Sequence, residues 1–168
     1  MISCKKETNY TLAKNQVGIV TNGTQIKELA DIFKNDSLVS HLGQDNFAES
    51  TYDEYLVYDR DGNHLLTFIP KHEQDSSSTI DNVQVFDKRY KTVKGLSIKS
   101  KFKDINDNYT IDKVQSTFSN AVLFIDELNA TITIDKEELG FNDFGTQKIS
   151  KEQIPDLAKI KGFTLWFD

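Results

Sequence analysis

A single cysteine, Cys4, stands in 168 residues, so no internal disulfide can staple this chain and packing must hold its fold. No window approaches the roughly 20 consecutive apolar residues that span a bilayer. The net charge of −6 is spread along the chain, and no basic stripe exists to replace phosphate counterions, which excludes nucleic acid as the expected partner. Catalytic patterns are missing too. His41, His64 and His72 lack metal-ligand spacing, and with Cys4 near the terminus no zinc set assembles from neighbours in sequence. No phosphate-cradling glycine loop, nucleophile elbow or cysteine-histidine pair occurs. Asp59, Asp61 and Asn63 imitate the first ligands of a calcium loop, but His64 occupies the place of the sharp-turn glycine and Pro70 that of the bidentate glutamate. The acid pair Glu137-Glu138 reads as a solvated face. The expectation is therefore a protein without catalytic residues, metal or cofactor.

What is present is enough apolar material for a core: 38% hydrophobic and 11% aromatic residues suit one compact unit or two small, tightly joined ones. The first residues carry a different signal. Ile2-Ser3-Cys4 resembles the end of a bacterial lipoprotein signal, an aliphatic residue, then Gly, Ala or Ser, then the lipid-bearing cysteine. The apolar stretch that precedes such a site is missing, which fits a trimmed chain with an added Met1. Cys4-Lys5-Lys6-Glu7 followed by a polar tether from Thr8 to Gln16 resembles lipoproteins of Bacteroidota. Residues 1–16 are read as a lipid-attachment stump and flexible tether, with Cys4 as the attachment site. The other reading is a true start at Met1 and a free thiol in a frayed tail.

The rest of the chain divides into two similar patterns, 17–92 and 93–168. The first opens Val17-Gly18-Ile19-Val20-Thr21, turns at Asn22-Gly23 and enters a helix at Thr24 with Ile26, Leu29, Ala30 and Phe33 on one face. The second opens Gly95-Leu96-Ser97-Ile98 and, after Ser100, repeats the helix with Phe102, Ile105 and Tyr109. Thr24 and Ser100 are the expected N-caps, with Glu28 and Asp104 near the positive end of each dipole. Period-two segments follow each helix: Tyr55–Tyr58 and Leu65–Ile69 around an Asp-Gly turn, then Ala121–Ile125 and Thr131–Ile134. Each copy closes on a strand, Ile80–Asp87 and Ile160–Asp168, and short strands are expected at Leu38–Leu42 and Ile111–Ser116. The fold class expected is α+β, a tandem duplication of strand-helix-antiparallel-strands units with the helices packed on antiparallel sheet.

Two insertions break this symmetry, and loops on a rigid scaffold are where partner contacts concentrate. Residues 72–78 are polar and expected to be mobile. Within 138–156, Phe141, Asn142, Asp143 and Phe144 are flanked by glycines; they are candidate partner-contact residues, or the two rings fold back as a lid on the sheet. Asp36-Ser37-Leu38 resembles the Asp-Ser/Thr-aliphatic motif of protein O-glycosylation in Bacteroidota and makes Ser37 a candidate modification site; alternatively Asp36 or Ser37 ends a helix before a strand.

Over residues 17–168 the plan resembles that of the YfeY-like envelope lipoproteins. The carrying stretch runs from Ile80 to Ile105: strand, Asp87, spacer, Gly95-Leu96-Ser97-Ile98, Ser100, Phe102, Asp104-Ile105. The strand and capped helix followed by antiparallel strands is also similar to BamE-like lipoproteins and to tandem-repeat lactamase-inhibitor proteins. The resemblance implies a binder anchored in the cell envelope, an outer-membrane lipoprotein facing the periplasm or the cell surface. It would hold a protein or glycan partner through a sheet face or the 138–156 loop. Two other readings stand beside it: an immunity or inhibitor protein whose acidic loops block a basic toxin or enzyme, and an envelope glycan hydrolase with a carboxylate pair.

Overall fold

The computed structural model describes residues 9–43, 52–140, 145 and 147–168. Cys4 and the quartet Phe141, Asn142, Asp143 and Phe144 lie outside the described residues. The described strands are β1 (Thr11–Ala13), β2 (Gln16–Val17), β3 (Val20–Thr21), β4 (Ser37–His41), β5 (Glu54–Tyr58), β6 (His64–Pro70), β7 (Ile80–Val85), β8 (Lys91–Thr92), β9 (Lys113–Ser116), β10 (Asn120–Ile125), β11 (Ala130–Asp135) and β12 (Ile160–Trp166). Helix α1 (Leu29–Ile32) continues a 3-10 turn at Ile26–Glu28, and α2 spans Phe102–Asn108. With two α-helices of 4 and 7 residues, the described chain is mostly β, in two sheets, with few helices beside them. The helical pattern is present in the sequence, but each apolar stripe is only two turns long, too short to propagate further.

The larger sheet has eight antiparallel strands in the order β4-β5-β6-β7-β12-β11-β10-β9, and the smaller has four in the order β3-β2-β1-β8. The order in the larger sheet mirrors about its central β7–β12 pair. Hydrogen bonds at the two helix starts are matched as well. Ile26 N donates to Ser78 O (2.9 Å) as Phe102 N does to Ala158 O (2.9 Å), and the isolated bridges Gln25–Thr79 and Lys101–Lys159 correspond. The N-caps are Gln25 and Lys101, one residue later than expected. The Glu28 carboxylate accepts from Gln25 N (2.7 Å) and Asp104 from Lys101 N (2.8 Å), while Thr24 and Ser100 hydroxyls accept from Thr21 N and Ser97 N and so close the turn before each helix.

Strict alternation makes β10 and β11 two-faced, whereas β5 buries Leu56 and Val57 in succession and β6 buries Leu65 to Phe68. Ala121, Leu123 and Ile125 of β10 and Ala130, Ile132 and Ile134 of β11 are buried, with polar or half-exposed residues between them. These inner positions form one cluster with Leu66, Phe68, Val83, Phe163 and Leu165 and with Leu29, Phe102 and Ile105 of the helices. Each fully buried Val, Leu, Ile or Phe among them contributes about 1.5–3 kcal/mol relative to exposure. Thr11–Ala13, placed in the tether by the sequence, is a strand: Leu12 is buried and β1 pairs in parallel with β8. A Cβ at Gly18, where φ is +60°, would stand 2.6 Å from Asn9 O, so only glycine fits that turn.

Candidate functional site on the outer face of the large sheet

The β-ladder registers bring one residue from every strand of the large sheet into a single row on the face away from the core cluster, where Leu56 and Thr67 are nonetheless buried. Val39 of β4 faces Leu56, which faces Thr67, and Thr67 faces Gln84. Across the centre Gln84 faces Thr164, followed by Thr131, Phe124 and, on the far edge, Lys113. From Val39 to Phe124 the row carries no ionisable side chain, although 27% of the chain is charged. Beside it, Ile69, Asn82 and Trp166 form a parallel row over the central strands.

Between these rows lies an open groove of about 310 Å³, lined by Tyr52, Ile69, Asn82, Gln84, Thr164 and Trp166. Three features define its chemistry. Trp166 is 41% exposed, yet its indole Nε1 donates to Thr131 Oγ1 at 3.0 Å, so the ring is held in place with one surface toward the groove. Asn82, 93% covered, gives one amide hydrogen to Asp81 Oδ2 (2.9 Å). Gln84 is half-buried in the floor, and its side-chain amide makes no hydrogen bond among the described residues. The groove thus offers a fixed aromatic surface, a second ring in Tyr52, and neutral donors and acceptors.

His64 flanks the site. Its ring is sandwiched, 4.8 Å from Tyr58 and 4.0 Å from Phe86. Nε2 lies 2.9 Å from Thr67 Oγ1, and burial pushes its pKa below the ordinary histidine value. At the same sheet end Arg89 binds Asp87 (2.9 Å) and Asp59 (3.1 Å) and lies over Tyr10. Asp59 spends one oxygen on its own turn, accepting from Asp61 N and Asn63 N, and those bonds hold its carboxyl below the usual range. Among the described residues no group of three or more His, Cys, Asp or Glu is placed to hold a metal ion, and no helix is long and apolar enough to cross a membrane.

The other sequence-predicted positions fall elsewhere. Ser37 is exposed as the first residue of the edge strand β4, and Asp36 N donates to Phe33 O (2.8 Å) just beyond α1. The 72–78 loop, expected to be mobile, is tied down: Gln74 N donates to Asp53 Oδ2 (2.6 Å), His72 N to Ser78 Oγ (2.9 Å), and Ser78 is buried. Glu138 accepts from Lys159 N (3.0 Å) at the start of β12. Near the 138–156 insertion the buried Lys136 ammonium donates to the carbonyls of Thr117 (2.6 Å), Phe118 and Gly145. Sequence reasoning missed the groove residues; their local signal was a set of uncharged outward positions in strands whose other face is apolar.

No protein-family model matches the chain, and no curated protein matches it in sequence. The crystal structure of the uncharacterized protein YfeY from Escherichia coli is similar to it, at 15% identity over 94% of this chain and 99% of that one, with a TM-score of 0.57. The expected YfeY-like architecture is therefore found, and at this identity the likeness speaks to the fold.

Proposed function

We propose that this protein is a lipid-anchored binding module of the bacterial cell envelope, without enzymatic activity, that holds a protein or glycan partner against the outer face of its large sheet. The observation carrying this reading is the uncharged row from Val39 to Phe124 with the groove beside it. An outward sheet face carrying Trp166, Phe86 and Val39 partly exposed is a surface that gains from being covered. The matched helix starts and mirrored strand order support a scaffold of two duplicated units, in which the central strands β7 and β12 come one from each copy. Ile2-Ser3-Cys4 supplies the attachment point, and two or three acyl chains on Cys4 would hold the protein firmly at a membrane.

Palmitate labelling of cells expressing the complete native gene, beside Cys4→Ala, tests the anchor, and a photo-crosslinking side chain at Thr164 in the same cells tests the face. The expected result is a label lost in Cys4→Ala together with a crosslinked adduct from Thr164 that a probe at Lys103 on α2 does not give. Absence of label in both chains removes the anchor, and absence of an adduct at Thr164 removes the sheet face.

A further inference from the structure

We infer that the central groove is a saccharide subsite, taking a neutral sugar ring of a glycan over the indole of Trp166. This rests on the sheet-face reading above and narrows its partner to one chemical class. The first argument is charge. None of Ile69, Asn82, Gln84, Thr164 and Trp166 is ionisable, and Tyr52, the remaining lining residue, is a phenol. Among the described lining residues none carries a charge that would compensate a phosphate, a carboxylate or an ammonium, and burying such a group unpaired is costly. A wholly apolar ligand is disfavoured for the converse reason: it would cover the Gln84 amide and the Thr164 hydroxyl without satisfying them.

A ring with apolar C–H faces and a rim of hydroxyls fits both demands. The electron-rich face of an indole attracts the weakly positive C–H groups of a pyranose stacked on it. The Nε1 bond to Thr131 Oγ1 fixes that surface beforehand, so little side-chain entropy is lost on binding. Gln84 and Thr164 stand opposite one another across the β7–β12 ladder, one a carboxamide and the other a hydroxyl, able to donate to and accept from neighbouring sugar hydroxyls. The floor spans β6, β7 and β12, roughly 10 Å at the usual strand spacing, room for one ring and its substituents.

An extended peptide is the competing class. Peptides that join a sheet do so at an edge, where main-chain groups are unpaired. Here the main chains of β6, β7 and β12 are already bonded on both sides, so a ligand at the centre must be read by side chains, which favours the saccharide.

Trp166 is the only tryptophan in the chain and reports directly on the groove. The full chain is titrated with cellotetraose, chitotetraose and maltotetraose to about 10 mM, within the range where weak single-site binding is measurable, and with a neutral acetylated alanine-leucine pentapeptide. A saturable change in Trp166 emission with at least one saccharide is expected. Gln84→Leu, similar in size but unable to hydrogen-bond, should weaken it by about tenfold with an unchanged unfolding midpoint, and Lys103→Ala on the opposite side should not alter it. Silence with all three saccharides, an unchanged affinity in Gln84→Leu, or a response to the peptide alone overturns the inference. The Thr164 crosslink does not depend on these titrations, so the sheet-face reading can survive the loss of its glycan assignment.

Discussion

His64 shows how one residue on the outer face ties pH to stability. Its ring is stacked between Tyr58 and Phe86, and burial lowers its pKa in the folded chain. The unfolded chain keeps the ordinary value of about 6.5, so as pH falls through that value the unfolded state takes up a proton that the folded state refuses. Stability attributable to this site is complete above the unfolded pKa and declines below it. The lowered carboxyls Asp59, Asp75, Asp87 and Asp135 act in a more acidic window, below about pH 4. Urea midpoints should therefore fall between about pH 7 and pH 5, and His64→Phe, which keeps the aromatic stack, should flatten that decline. An unchanged slope in His64→Phe would assign the decline to other groups.

At the scale of elements, the two helix starts depend on a carboxylate reaching back to its own cap residue. Asp104 accepts from Lys101 N at 2.8 Å and Glu28 from Gln25 N at 2.7 Å. Asp104→Ala should cost about 0.5–2 kcal/mol in urea unfolding, with Asp104→Asn recovering part of it; equal losses in both variants would mean that charge at the helix dipole dominates over the hydrogen bond. The same elements show what a sequence can and cannot carry. The hairpin β10–β11 was legible because Ala121 to Ile125 and Ala130 to Ile134 alternate without a break. The caps were misplaced by one residue because neither Gln25 nor Lys101 is a habitual N-cap, and the usual signal, Thr24 or Ser100, serves the preceding turn. Strand β1 went unread because it is only three residues long, its neighbour β2 only two, and its other partner, β8, lies far along the chain. The groove was hidden for the same reason: Gln84 and Thr164 meet only through the β7–β12 ladder, and nothing near either residue announces the other.

The whole molecule hinges on that ladder. The two halves of the large sheet meet through only three register pairs, Gln84–Thr164, Val83–Leu165 and Asn82–Trp166, supplemented by Phe167 N donating to Asp81 O at 2.8 Å. The outward members of those pairs line the groove, while the inward members, Val83 and Leu165, are both 0% exposed and belong to a cluster that also takes in Phe68 on one side and Ile132 on the other. A core continuous across the seam couples the halves, so they should unfold together although only three register pairs join their strands. Leu165→Ala opens a cavity at the seam and should cost about 2–5 kcal/mol. In hydrogen exchange, amides of β5–β6 and of β10–β11 should accelerate to a similar degree, within one cooperative transition. Acceleration confined to β10–β11, or a biphasic urea curve, would show two independently stable halves, and the groove would then be a joint between separate units instead of the centre of one.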